Sequence, residues 1–427
     1  MNALKKHIKI AFICICLFST SCKITTKENL NHNNKTAEQI LGNPEFLAIS
    51  YGGYRMTSRE IQPSVEAIKE DLMIMHSMGI RILRTYNLQY PHASNILKAI
   101  KELRSKHAGF EMYVMLGAWI DCANAWTDLP PNHELEDEEN NASEIKKAIA
   151  LANQYPEIVK IIAVGNEAMV HWATPYFVKP EVVLKWVNYL QNQKAQGHLS
   201  KAVWITSSDN FASWGGGSPD YHNQDLEQLV SAVDYISVHT YPFHDTHYNS
   251  SFWLIPEDEA ALSETEIIEN AMQRAKSYAV QQYQSVKNYV NSLGIEKPIH
   301  IGETGWATTS QGLYGENGSR AADEYKQALY YKLMREWTNE NNIACFYFEA
   351  FDEPWKDANH PNGSENCFGL FTTDGQAKYA LWPLVDKGVF KGLSRDGKFI
   401  KKTYQGNKSD LLKDIFPPKL ALALKTN

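Results

Sequence analysis

Eight short apolar runs, rich in β-branched and aromatic residues, recur along the chain from residue 46 onward. They are FLAISYG (46–52), IRILRTY (80–86), MYVMLGA (112–118), VKIIAVG (159–165), VWITSS (203–208), VDYISVH (233–239), PIHIGE (298–303) and ACFYFEAF (344–351). Stretches with helical periodicity lie between them, such as 63–78, 92–107, 142–153, 179–196, 264–293 and 320–341. Runs that are apolar throughout predict strands covered on both faces, the environment of a parallel sheet. Eight strand–helix units predict an α/β fold, a (β/α)8 TIM barrel with insertions, carried as a single catalytic domain over residues 44–390. A doubly wound open sheet is the alternative. It usually brings a glycine-rich phosphate turn after its first strand, and SYGGYR (50–55) lacks the G-x-G-x-x-G spacing.

The ends of the chain read differently. The start, MNALKKHIKIAFICICLFSTSC, has a basic opening, an apolar run from Ile10 to Phe18 and small residues before Cys22. That run is too short to span a bilayer. Residues 1–21 resemble a bacterial lipoprotein signal peptide with Cys22 as the lipidated residue, although Ser19 stands where the usual pattern has leucine. Plain secretion is the other reading. Residues 22–43, rich in Asn, Lys and Thr, are expected to be a flexible tether from a membrane lipid to the domain. The expected location is therefore the bacterial cell envelope, at the outer membrane or cell surface. Residues 391–427 are polar and weakly patterned and are expected to be a surface extension without chemistry. After cleavage four cysteines remain, Cys22, Cys122, Cys345 and Cys367, and their scatter gives no disulfide framework and no metal spacing. A net charge of −7 argues against a nucleic-acid partner, because no basic surplus is available for phosphates. No metal or cofactor is expected, and the chain is expected to be a monomer.

Chemistry in such a barrel gathers at the C-terminal ends of the strands. The second strand ends in Arg84-Thr85-Tyr86, the fourth in Gly165-Asn166-Glu167, the sixth in His239-Thr240-Tyr241-Pro242 and the seventh in Glu303-Thr304-Gly305-Trp306. The eighth runs into Phe351-Asp352-Glu353-Pro354-Trp355-Lys356, and the first into Tyr51. Seven of the 11 tryptophans, Trp119, Trp126, Trp172, Trp214, Trp253, Trp306 and Trp355, fall in loops that start at this rim. Flat aromatic faces suit the apolar faces of sugar rings, so the set predicts a stacking cleft. Rim packing is the alternative for any single one.

Glu167 and Glu303 end two strands of one barrel and so face one mouth. Glycoside hydrolysis needs such a pair, and retaining enzymes hold the carboxyl groups about 5–5.5 Å apart, one as nucleophile and one as acid/base. A structural salt bridge is the alternative for either glutamate alone.

The motifs AVGNEAM and IGETGWA, in that order at the fourth and seventh strands, resemble the two signatures of glycoside hydrolase family 17. RTY, HTYPF and FEAFDEPWK…ENCFGLF are similar in style to that family, and the resemblance spans about residues 46–385. It implies a retaining β-1,3-glucanase acting on laminarin-like glucan or its oligosaccharides. It further implies Glu167 as acid/base, Glu303 as nucleophile, Asn166 on the 2-hydroxyl and Tyr241 positioning Glu303. Trp306 would stack at the leaving-group side, and Arg84 and Tyr86 would line the floor. Glu353, Lys356 and Glu365 would form a polar cluster in the loop after the eighth strand. Tyr51 and His239 complete the expected substrate-binding set.

A transglycosylase would use the same two glutamates, and an exo-acting glucosidase the same site. The 243–266 loop, with Trp253, is expected to be able to cap one end of the cleft and favour exo action. Two further classes compete: a non-catalytic glucan-binding lipoprotein, which would have lost a glutamate, and a relative cleaving β-1,4 or β-1,6 linkages. The 122–141 loop is acidic and offers either a Ca²⁺ site or a solvated surface, the second being the plainer reading.

Overall fold

The computed structural model describes residues 35–421. The expected signal segment and the lipidation site Cys22 lie outside the described residues. Eight parallel strands close into a barrel in sequence order: β1 (Leu47–Ser50), β2 (Ile80–Arg84), β3 (Tyr113–Ala118), β4 (Val159–Asn166), β5 (Trp204–Asn210), β6 (Ile236–His239), β7 (Ile299–Gly305) and β8 (Cys345–Phe348). Each predicted run supplies one strand.

A helix joins every consecutive pair of strands: Val65–Ser77, His92–Lys106, Glu138–Gln154, Pro180–Ala195, Gln224–Ala232, Glu264–Ser292 and Glu324–Glu340. Their starts follow local chemistry. Ser64, Asp137, Asn223, Ser263 and Asp323 each accept a backbone N–H of the first turn through the side chain, which satisfies one of the orphan donors there. Asp137 begins its helix four residues earlier than the apolar pattern suggests. Among the described residues no helix is long and apolar enough to cross a membrane.

Strand alternation divides the core into two zones. Ile49, Leu83, Val114, Ile162, Val238 and Ile301 face outward and pack against the helices. Ala48, Ile82, Met115, Ile161, Ala163 and Phe346 face inward and fill the lower barrel. That inner cluster also holds Ala37, Ile40 and Leu41. They belong to a short helix, Ala37–Ile40, started by a capping box of Thr36 and Gln39. The expected flexible tether is corrected here. Its last residues are ordered structure that closes the bottom of the barrel, because Ile40 and Leu41 bury apolar area there.

The tail is corrected too. Arg395 is fully buried and pairs with the buried Asp71 at 2.8 Å, with its guanidinium 4.1 Å from the centre of the Phe351 ring. Ile400, Leu411 and Ile415 are buried as well, and Ile255 exchanges backbone hydrogen bonds with Lys419 and Ala421. The expected surface extension without chemistry is thus in part buried structure, packed into the domain through these groups.

Candidate active site

Both glutamates reach the barrel mouth through a slip in register. Between Ala163 and Asn166 strand β4 advances three residues while β5 advances two, from Thr206 to Ser208. The slip brings Asn166 to the inner face, and Gly165 takes a φ of +81° to allow it. Glu167 follows at φ +46°, a conformation bulky residues avoid. In β7 the step from Ile301 to Glu303 matches a single step in β6, from Val238 to His239. Simple alternation would leave Glu303 on the outward face with Ile301. The bulge turns it inward instead, with Gly302 packed against the inner wall: a Cβ there would lie 2.1 Å from Ser237 Oγ and 2.5 Å from Ser208 Oγ.

Glu303 sits in a cage of donors. Arg84 Nη1 donates to its Oε2 at 2.5 Å, Tyr86 Oη to the same oxygen at 2.8 Å, and Tyr241 Oη to Oε1 at 2.5 Å. Arg84 also donates to the Gly302 carbonyl at 2.8 Å and to Asn166 Oδ1 at 2.5 Å. The amide oxygen of Asn166 is thus occupied, which leaves its NH2 as the donor for a ligand hydroxyl. Burial pushes the Glu303 carboxyl up. Arg84 and the two phenols pull it down, any contribution from His239 counts only when that ring is protonated, and the net position is below the usual carboxylate range. Burial and the Glu303 charge hold the phenols of Tyr86 and Tyr241 far above their ordinary range, so they stay donors.

Glu167 is placed oppositely. It accepts no arginine. Burial, then the charges of Glu303 and Asp209, push its carboxyl well above the usual range. Its Oε1 lies 3.1 Å from His239 Nδ1, whose Nε2 is 2.8 Å from Ser208 Oγ. Burial lowers His239 to about 3, with Glu303 opposing and Arg84 assisting, so the ring is neutral at ordinary pH. A neutral ring carrying its proton on Nδ1 holds one oxygen of Glu167 and leaves the other for its own proton. The environment thus splits the pair into one ionised and one protonated carboxyl.

The wall after β8 holds Glu353 and Lys356, and the sequence reading passed over their third partner. Lys356 Nζ lies 2.6 Å from Glu349 and 3.6 Å from Glu353. Glu353 also accepts Trp355 Nε1 at 2.9 Å and the Tyr54 N–H at 3.2 Å. Glu365 is exposed and outside this ion-pair cluster, though its charge is felt by both Glu167 and Lys356. Glu349 was legible as the one acid inside the apolar run FYFEAF. Asp209 was legible at the end of β5. It accepts the Met169 N–H at 2.8 Å and Ser213 Oγ at 2.5 Å, and burial raises it to about 6 against those hydrogen bonds.

Two expected substrate contacts are corrected. Trp306 is fully buried, its Nε1 donating to the Ala321 carbonyl at 2.8 Å and its ring packed on Phe243, Trp253 and Tyr330. It has no free face for a sugar. Tyr51 is also buried, its hydroxyl donating to Asp71 at 2.9 Å, so it braces the wall from behind. The stacking set shrinks likewise, because Trp214 and Trp253 are buried. Trp253 is buried and anchors the 243–266 loop by donating its Nε1 to the Ser319 carbonyl, so its ring offers no face to a sugar. Within the 122–141 segment Cys122–Ala123 pairs antiparallel with Asn132–Glu136 as a hairpin, and the last residues open the helix Glu138–Gln154. Among the described residues no group of three or more His, Cys, Asp or Glu is arranged to hold a metal.

Residues 48–369 match the BtgE/BtgC glycoside hydrolase domain. An endo-laminarinase from Formosa Hel1_33_131, known by crystal structure, is 64% identical, with a TM-score of 0.90 over 90% of this chain and 98% of that one. A glucan 1,3-beta-glucosidase of Arthroderma benhamiae is 26% identical over 282 residues, 64% of this chain and 72% of that protein. The longer btgC of Aspergillus niger, named as a glucan endo-1,3-beta-glucosidase, is 24% identical over 366 residues, and the chain spans only 43% of its length. A closed eight-stranded barrel with two differently poised glutamates at its mouth, matched over most of its length by this domain, places the chain in glycoside hydrolase family 17.

Proposed function

We propose that the chain is an endo-acting, retaining β-1,3-glucan hydrolase whose substrate is laminarin-like glucan. The observation that carries this reading is the opposite poise of the two carboxyls. Glu303, held by Arg84, Tyr86 and Tyr241, is the ionised nucleophile that attacks the anomeric carbon. Glu167, raised by burial and by Glu303, protonates the departing glycosidic oxygen. Once the glycosyl–enzyme bond forms, Glu303 carries no charge, so one of the influences raising Glu167 disappears. Glu167 then takes a proton from water, which attacks the same carbon and restores both groups. The NH2 of Asn166 is the donor for the 2-hydroxyl, and Lys356 with Glu353 lines the wall. Anchoring through lipid at Cys22 in a bacterial envelope is part of the same proposal and rests on the sequence alone. Labelled palmitate incorporation that is lost in Cys22→Ala tests it.

The test of the activity is chromatography of products from linear β-1,3-glucan over time, with Glu303→Ala as control. A ladder of oligosaccharides that is absent from the variant supports the proposal. Glucose alone would mean exo action, products longer than a supplied oligosaccharide would mean transglycosylation, and no turnover would overturn the β-1,3 assignment.

A further inference from the structure

The hairpin after β3 carries an exposed tryptophan in an unfavourable conformation. Trp126 is 61% exposed and sits at φ +59°, two residues after Asn124 at φ +65°. Left-handed backbone at a bulky residue is strained and persists only where its surroundings over-determine it. Here the surroundings are specific. The buried carboxylate of Asp121 accepts both indoles, Trp119 Nε1 at 2.6 Å and Trp126 Nε1 at 3.2 Å on one oxygen. Tyr176, from the loop after β4, stacks on Trp126 with ring centres 5.2 Å apart and planes 25° apart, and it contacts Trp119 at 5.2 Å. Asp121 is fixed in turn, its backbone bonded to Asn141 in both directions. A tryptophan strained, exposed and clamped by its N–H adds little to the core. What it offers is one open, oriented aromatic face.

Tyr176 follows Glu167 on the loop after β4 and Trp126 lies on the loop after β3, so the stacked pair stands at the same rim of the barrel as the catalytic glutamates. After burial, the charges of Glu167, Asp209 and Glu303 are the influences that reach the Tyr176 phenol. Trp126 lies one ring farther out, on the β3–β4 side that carries Glu167. The opposite wall, of Tyr54 and Trp355, comes from the loops after β1 and β8. Glu167 faces the departing oxygen, so the sugars on its side belong to the leaving group.

We propose that Trp126, set by Asp121 and backed by Tyr176, is a binding subsite for a glucosyl unit on the leaving-group side, more than one sugar beyond the cleaved bond. The inference rests on the glucanase reading above. The ring takes the apolar face of a β-linked glucose, and the occupant is the same glucan chain that fills the catalytic cleft. Substrates long enough to reach the platform gain from it, and short ones do not.

The experiment compares wild type, Trp126→Ala, Trp126→Phe and Asp121→Asn on β-1,3-gluco-oligosaccharides of increasing length, labelled at the reducing end. The readouts are kcat/KM for each length, the bond cleaved and the melting temperature. The expected result for Trp126→Ala is a fall of about tenfold in the long-to-short ratio of kcat/KM, the worth of one stacked ring, with cleavage shifted toward the reducing end and the melting temperature held. Trp126→Phe should recover part of the ratio, and Asp121→Asn should lose less than Trp126→Ala. An equal loss at every length, an unchanged ratio, or cleavage shifted toward the non-reducing end would overturn the proposal while leaving the hydrolase reading intact. Failure of wild type to cut any of the oligosaccharides would strike the hydrolase reading instead.

Discussion

Replacing Gly302 by alanine adds one methyl group at the point where the inner wall meets both glutamates. The new Cβ would lie 2.1 Å from Ser237 Oγ and 2.5 Å from Ser208 Oγ, both well inside the 3.4 Å at which ordinary contact begins. The backbone at Gly302 is not left-handed, so the penalty is steric and nothing else. Neither serine can yield freely. Their hydroxyls bond each other at 2.8 Å, Ser208 also holds His239 Nε2 at 2.8 Å, and His239 holds Glu167. On the other side the Gly302 carbonyl accepts Arg84, which holds Glu303. Overpacking of this kind costs about 1–3 kcal/mol, expected as a fall of several degrees in melting temperature. A shift near 1 Å in either carboxyl costs about 10²-fold in rate, so Gly302→Ala should lose about that in kcat/KM on β-1,3-glucan. Adding Ser237→Gly removes the nearer obstacle and should return part of both losses. The assay is calorimetry beside reducing-sugar release for the single and double variants. Wild-type activity and stability in Gly302→Ala would refute the reasoning, and so would losses that Ser237→Gly leaves untouched.

Tyr241→Phe removes a hydrogen bond to an ionised oxygen, worth about 1.5–3 kcal/mol. The Glu303 carboxyl should rise, moving the acid limb of the kcat/KM profile up by about 1–2 pH units, while Tyr86→Phe moves it less because Arg84 still holds that oxygen. Glu167→Gln should cost about 10²–10⁴-fold on glucan and abolish the basic limb, since the raised carboxyl that must stay protonated is gone. An aryl glycoside, whose leaving group needs no proton, should lose far less in the first step. Arg395→Leu leaves the buried Asp71 with Arg55 as its remaining cation. It should destabilise by about 3 kcal/mol, at the low end for a broken buried pair, measured by denaturant unfolding. A stability equal to wild type would mean the tail is not held as described.

The sequence by itself determined eight buried strands alternating with helices. Runs of strand length that are apolar on both faces read as buried strands, and helical stretches between them point to parallel order, so the strand ends and the two glutamates were legible without coordinates. Closure into a barrel rather than an open doubly wound sheet was decided by the pairing of β1 with β8. Composition and spacing also fixed that the acids come at the ends of the fourth and seventh strands. What lay beyond reach was direction. Alternation along β7 puts Glu303 on the side of Ile301, and only pairing with β6 and β8 introduces the extra residue that turns it inward. Trp306, three residues on, looked like a cleft residue, yet the same turn carries it back into the core against Tyr330. The plug of Ala37–Leu41 and the buried Arg395 were hidden for a related reason: four-residue helices and a single arginine carry no period. Periodicity reports which side of its own strand or helix a residue occupies. Bulges, plugs and buried pairs depend on a neighbour distant in sequence, and only the closed barrel brings that neighbour into place.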